Sequence, residues 1–303
     1  MMNLTRDPLI VNHMAALDGS PYPQNSLEAI QACLETEAAF IEIDVTALAS
    51  DDYLLVHDGV LDHETNGVGE VSAATAEATR NLFIKTRASV VTSYHPPLLS
   101  EVVALFGEYH GKTRLQIDYK NVFPMADDEP LRRLIHLIEP LSSRVLVSTG
   151  ADWHLRWMHK QAPWLDLGFD IGFYLDYGAG ERDPRQPPYS LGAYGYYDDH
   201  ILAKQKLTPT AQYLAERCEI MRLMTPGISV WYVDHHLITQ ALEEGFNIAD
   251  WLHHENIRLD AWTLDVGRVA DANLLRLREA GIDQFTTNTP LALAKLFGGI
   301  LSK

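Results

Sequence analysis

Eight short apolar, β-rich runs recur along the chain, at 9–13, 40–45, 113–119, 144–148, 165–171, 228–233, 259–264 and 284–287. Amphipathic patterns of helical period lie between them, at 26–37, 98–109, 129–137, 235–254, 269–280 and 291–297. A further extended piece at 53–57 follows the second run. Eight β-then-α units in 303 residues predict an α/β fold in one domain, a TIM-type (β/α)8 barrel of parallel strands with helices outside. An open, doubly wound sheet is the competing arrangement, but no glycine-rich phosphate loop follows the first run. Two stretches exceed ordinary connections. One, about 59–97, reads as a small insertion after the second strand. The other, about 172–208, is rich in Gly, Pro and Tyr. In a barrel both leave from C-terminal strand ends, where sites are built. They are expected either as pocket walls or as packed surface excursions.

The second strand, "FIEIDV", carries acids where a core strand should be apolar. Side chains alternate along a strand, so Glu42 and Asp44 share one face, and Ile41, Ile43 and Val45 share the other. In a barrel the Glu42/Asp44 face is the interior. Two desolvated carboxylates repel at a cost of several kcal/mol, which a hard divalent cation offsets. A carboxylate-only donor set suits magnesium, calcium or manganese and argues against zinc. The third strand ends "LQIDYK", with Asp118 and Lys120 again at i and i+2. Asp118 is expected as a third ligand and Lys120 as a phosphate partner, the alternative being an internal ion pair between them. His13 ends the first run and His57 the extended piece. Two histidines at one rim can serve as base and acid at neutral pH. Asp58 either holds the tautomer of His57 or begins the turn into Gly59. His235, His236, His253 and His254 fall in one long helical pattern, and with His154 and His159 are expected to be structural or surface residues.

The formal net charge of −17 disfavours nucleic acid and anionic membranes as partners. No run of eighteen apolar residues predicts a membrane span. Cys33 and Cys218, without CxxC or metal spacing, read as reduced, buried thiols. Together with a start that has no signal-peptide apolar region, they predict a cytoplasmic protein acting on a small molecule. The oligomeric state is left open.

The order "VNHMAALDGSPYPQNSLEAI", "FIEIDV", "LLVHDGVLDHETNGVGEV", "HPPLLSEVVALF", "LQIDYK", "DAWTLD" and "GIDQFTTNTP" resembles the glycerophosphodiester phosphodiesterase family over nearly the whole chain. The resemblance implies a barrel of the phospholipase-C-like type and metal-assisted phosphodiester hydrolysis. It implies Glu42, Asp44 and Asp118 as metal ligands and His13 and His57 as catalytic residues. Asn25, Lys120 and Trp262 match positions lining the family's substrate site. The chain departs from the usual pattern in several places. HRG is here His13-Met14-Ala15, PEN is Pro23-Gln24-Asn25, and the third acid, usually Glu, is Asp118. A DRTT-like run is Asp62-His63-Glu64-Thr65, and TD-x-P is Thr287-Asn288-Thr289-Pro290. The HM, Asp118 and TN-x-P features resemble the related phospholipases D that act on sphingomyelin. Three functions are therefore carried forward: a glycerophosphodiesterase-like hydrolase, a phospholipase-D-like enzyme on a choline or lysolipid diester, and a non-catalytic phosphodiester-binding protein.

Overall fold

The computed structural model describes residues 7–49, 51–86, 88–123, 127–175 and 208–298. Its strands are β1 (Leu9–Asn12), β2 (Phe40–Ala47), β3 (Tyr53–Leu54), β4 (Arg114–Tyr119), β5 (Val145–Thr149), β6 (Asp166–Asp170), β7 (Val230–Asp234), β8 (Arg258–Trp262) and β9 (Gln284–Thr287). All but β3 are parallel, in the ring order β1-β2-β4-β5-β6-β7-β8-β9, and β9 pairs back to β1. The result is a closed eight-stranded (β/α)8 barrel, as the alternation of runs predicts. Closure removes the exposed sheet edge that an open sheet would have to protect.

Each barrel strand buries two kinds of surface. On β2 every residue is buried. Ile41, Ile43 and Val45 join the main apolar cluster, which also holds Ile117, Val147, Leu167, Trp231 and Phe285. The helices Leu27–Glu35, Leu99–Glu108, Glu129–Ile138 and Asp152–Gln161 add Ile30, Val102, Leu134 and Leu155 to the same cluster. Ser26 starts the first of these, its side chain accepting from Ala29 N–H at 3.1 Å, as an N-cap does.

Three expectations change. The pattern at 235–254 is two helices, His235–Glu243 and Ile248–His254. Gly245 adopts φ +85° between them, a left-handed stop that glycine takes without strain. Asn247 then caps the second helix by accepting from Ala249 and Asp250 N–H. The first strand ends at Asn12, and His13 opens a short 3-10 turn, His13–Ala15. Finally, the strand expected at 259–264 stops at Trp262. Most of the long stretch at 172–208 (176–207) lies outside the described residues.

The segment after β2 carries the short helices Leu61–Glu64 and Ala76–Thr79, tied by isolated bridges such as Val60 with Glu70 and Thr65 with Ile84. Leu48, Leu54, Val56, Leu61 and Val71 give it a small apolar cluster of its own. This packing fixes the turn that carries His57. No described helix is long and apolar enough to cross a membrane. Both cysteines are free and buried.

Ile117 is fully buried on the helix-facing side of β4. Ile117→Ala is expected to lower stability by about 2–5 kcal/mol, read as a lower urea midpoint at unchanged slope. A loss below about 1 kcal/mol would contradict this placement of the core.

Candidate active site

Glu42 pairs in register with Gln116, and Asp44 with Asp118. The two acidic dyads read from the sequence are thus laid side by side at the C-terminal ends of β2 and β4. Glu42 is 3% and Asp44 0% exposed. Lys120 Nζ reaches Asp118 Oδ2 at 2.5 Å and lies 2.9 Å from Asp44 Oδ1. The internal ion pair of Lys120 with Asp118, the alternative reading of that spacing, is thus present.

The loop after β1 completes the cluster with backbone and amide groups. Met14 and Ala15 hold φ +52° and +56°, and Asn25 φ +56°, a region few non-glycine residues occupy. The curl turns the Met14 N–H onto Glu42 Oε2 at 2.7 Å. It also brings Asn25 Nδ2 to Asp44 Oδ2 at 3.1 Å. Asn25, expected at the substrate, is buried and faces Asp44 instead.

The charges do not balance locally. Burial pushes the Glu42 carboxyl well up, and Asp44 and Asp118 push it further, against the pull of Lys120 and the Met14 N–H. Burial also opposes ionisation of Asp44, but Lys120, then His57 and His13, draw it down to about 2. Burial disfavours the Lys120 charge, yet Asp118, Asp44 and Glu42 hold its pKa well above the usual range. One oxygen from each of Glu42, Asp44 and Asp118 lies within 4.8 Å of the others. Asp44 is fully buried, and the Lys120 ammonium lies 2.9 Å from its Oδ1. Three carboxylates facing a single ammonium leave an excess of negative charge, and an all-carboxylate donor set is what a hard divalent cation fits.

The two histidines are held by separate carboxylate chains. Asp265 accepts from Asn288 Nδ2 at 3.1 and 3.0 Å through its two oxygens. A carboxylate only accepts, so the Asn288 amide is oriented with Oδ1 outward. That oxygen takes a hydrogen bond from Gln24 Nε2 at 2.6 Å and lies 2.9 Å from His13 Nδ1. His13 Nδ1 must then be the donor, which makes Nε2 the basic nitrogen of the neutral ring. His57 Nδ1 lies 2.9 Å from Asp58 Oδ1, so it too carries its proton on Nδ1. This hydrogen bond to Asp58 raises the His57 pKa, against the effects of Lys120 and burial. In return it holds the Asp58 carboxyl well below its usual range, helped by His63 Nδ1 at 2.6 Å from Oδ2. Glu64 fixes the turn by accepting from the His57 and Asp58 N–H groups at 2.6 and 3.1 Å.

These groups surround a cavity of about 410 Å³. His13, Met14, Glu42 and His57 line one side. Asp118, Ser148, Asp170, Tyr232, Trp262 and Thr286 line the other, one from each strand from β4 to β9. The sequence-predicted His13, His57, Glu42, Asp118, Lys120 and Trp262 are thus brought to one cavity, with Asp44 and Asn25 buried beside it. Gln24, Asp265 and Asn288 were not foreseen as supports of His13. Asn288 lies 275 positions from it, too far for any local pattern to couple them.

Residues 18–292 match the model of the glycerophosphoryl diester phosphodiesterase family. A glycerophosphodiester phosphodiesterase of Caldanaerobacter subterraneus subsp. tengcongensis is 26% identical over 190 residues, 62% of this chain and 74% of that protein. One from Bacillus altitudinis is 28% identical over 155 residues, 48% of this chain and 60% of that protein. Among solved structures, a putative glycerophosphoryl diester phosphodiesterase of Silicibacter pomeroyi superposes with TM-score 0.68 at 16% identity, covering 97% of this chain and 94% of that one. An Oleispira antarctica phosphodiesterase, solved with its product sn-glycerol-3-phosphate, superposes with TM-score 0.63 at 12% identity, covering 95% and 96%. With a family model matching from residue 18 to 292, the chain belongs to the glycerophosphoryl diester phosphodiesterase family and is a phosphoric diester hydrolase.

Proposed function

We propose that the protein is a metal-dependent glycerophosphodiesterase that works by histidine acid–base catalysis, on a single barrel domain spanning 1–303 with an insertion at about 59–97. The observation that supports this reading most is that two histidines, each with its proton fixed on Nδ1, share one cavity with Glu42, Asp118 and Lys120, with Asp44 buried beside it. Glu42, Asp44 and Asp118 would hold one magnesium or calcium ion, with manganese also suitable. Held there, such an ion would supply Lewis-acid polarisation of a phosphoryl oxygen and positive charge to offset that of the transition state.

The protein's own groups do the rest. Lys120 binds the phosphodiester anion as a point charge. Trp262, beside Tyr232, packs on the alcohol portion. Asn25 positions Asp44. His13 Nε2 removes the proton from the attacking hydroxyl, either the substrate's neighbouring hydroxyl or water. As the new P–O bond forms, the bond to the leaving alcohol breaks, and His57 gives that oxygen its proton. Attack by a neighbouring hydroxyl leaves a cyclic phosphate, which water then opens with the proton transfers reversed. The raised pKa of His57 supports its role as the acid, and the fixed tautomer of His13 supports its role as the base.

A second reading, a phospholipase-D-like enzyme on a choline or lysolipid diester, is favoured by one observation. Met14, an uncharged thioether, lines the cavity together with Trp262 and Tyr232, which suits a bulkier or more apolar substituent. A panel of glycerophosphodiesters and lysolipid diesters, followed by phosphorus NMR, separates the two by which substrate turns over faster.

His13→Ala and His57→Ala are each expected to lower kcat by about 100-fold or more while the fold, read by circular dichroism, is unchanged. Near-normal turnover in either variant would reduce that histidine to a structural role.

Cation binding should release a proton, because Glu42, whose pKa is raised, must ionise to ligate. The sign follows: below that raised pKa a proton competes with the cation, so magnesium or calcium affinity increases with pH. Calorimetry in buffers of different ionisation enthalpy reads the proton directly. Asp44→Asn should weaken binding by at least about tenfold. Equal affinity in Asp44→Asn, or affinity independent of pH, would overturn the ligand assignment.

A further inference from the structure

We propose that Asp234, His235 and His236 form a second cation site, for a divalent transition metal such as zinc, in a cavity beside the catalytic one. Asp234 ends β7 and caps the nine-residue helix His235–Glu243 by accepting from His236 N–H at 2.6 Å. The two imidazoles stack, with ring centroids 3.9 Å apart and planes 30° from parallel. One carboxylate oxygen of Asp234 and one nitrogen of each histidine lie within 4.8 Å of one another. Ligands about 2.0–2.2 Å from a shared cation lie at most about 4.4 Å apart, and the rings must turn out of their stack for their in-plane lone pairs to meet at one ion.

An independent observation concerns His235. The residue is 9% exposed, and its Nδ1 is buried with no hydrogen-bond partner among the described residues. A buried imidazole nitrogen without a partner is uncommon in a folded protein. His236 Nδ1 sits 2.8 Å from Asp234 Oδ1, so a proton now joins two atoms that a cation would take over. The two histidines, though not Asp234, also line a cavity of about 540 Å³, which gives an ion room for water or an anion as further ligands.

The donor chemistry separates this site from the carboxylate cluster. Two imidazoles and one carboxylate suit zinc, cobalt or nickel, whereas three carboxylates suit magnesium or calcium. The position matters too. Asp265 and Asn288, which orient His13, form part of the same cavity wall, and Thr263 lines both cavities. A cation at Asp234 therefore sits next to the groups that fix the base, outside the cavity that holds it.

The test uses full-length protein carrying Asp44→Asn, so that the carboxylate cluster is impaired. Zinc is titrated by calorimetry in the presence of excess magnesium. The expected result is one equivalent of zinc, with affinity falling at least tenfold on adding His235→Ala and again, separately, on adding His236→Ala. His236 is exposed on its side chain (66%), so its variant tests ligation without a buried substitution. Histidine-selective nitrogen NMR should show zinc shifting one nitrogen of His235 and one of His236. No zinc binding in the Asp44→Asn protein, unchanged affinity in both histidine variants, or zinc shifts confined to other histidines would each overturn the proposal.

Discussion

Three carboxylates and one ammonium are packed into the mouth of a barrel, and the local structure around them follows from that imbalance. Asp44 is fully buried, and a desolvated carboxylate persists only where other groups supply compensating charge or hydrogen bonds. Lys120 supplies the charge. The loop after β1 supplies hydrogen bonds, and it does so by accepting left-handed backbone at Met14, Ala15 and Asn25. Such strain at a functional site is sustained when surrounding contacts over-determine it. Here the Met14 N–H to Glu42 and the Asn25 amide to Asp44 are those contacts. The β2–β4 register, with Asp44 opposite Asp118, holds the acids together from the other side.

The two histidines of the pocket sit in different environments. His57 is hydrogen-bonded directly to a carboxylate, Asp58, which stabilises its protonated form. His13 is joined to Asp265 through the Asn288 amide. The Asn288 amide oxygen fixes the tautomer, while the buried Asp44 carboxylate acts on the ring through its charge. Pairs of titratable groups whose surroundings differ in this way are suited to act as opposite partners in acid–base catalysis. Asp58 also takes His63 and thus links His57 to the insertion after β2.

The barrel was legible because it is written in local periodicities. The period-two alternation of "FIEIDV" put Glu42 and Asp44 on one face and the isoleucines on the other, as observed. The spacing of Asp118 and Lys120 did the same on β4. The register that joins the two dyads is a tertiary fact, and the parallel order of strands was needed to expect it. Gln24 and Asn288 stood out as motif positions, but their role as supports of His13 was not legible. Gln24, Asp265 and Asn288 come from three separate loops, and their hydrogen-bonding groups are ordinary in sequence. The helical reading of 235–254 failed for a different reason. Apolar spacing continues through Gly245, and only its positive φ, a backbone property, shows that the chain stops and restarts there. That break leaves His235 and His236 on a short helix whose first turn faces a cavity.

The claim on which the account depends is that the buried carboxylates serve a cation used in phosphodiester cleavage. The most direct test is to strip the protein with a chelator, incubate it with a glycerophosphodiester, and follow phosphorus NMR before and after adding back magnesium or calcium. The account predicts no monoester signal from stripped protein and its appearance once the cation returns. It also predicts little recovery in Asp44→Asn at the same cation concentration. Equal hydrolysis by stripped and reloaded protein would contradict it.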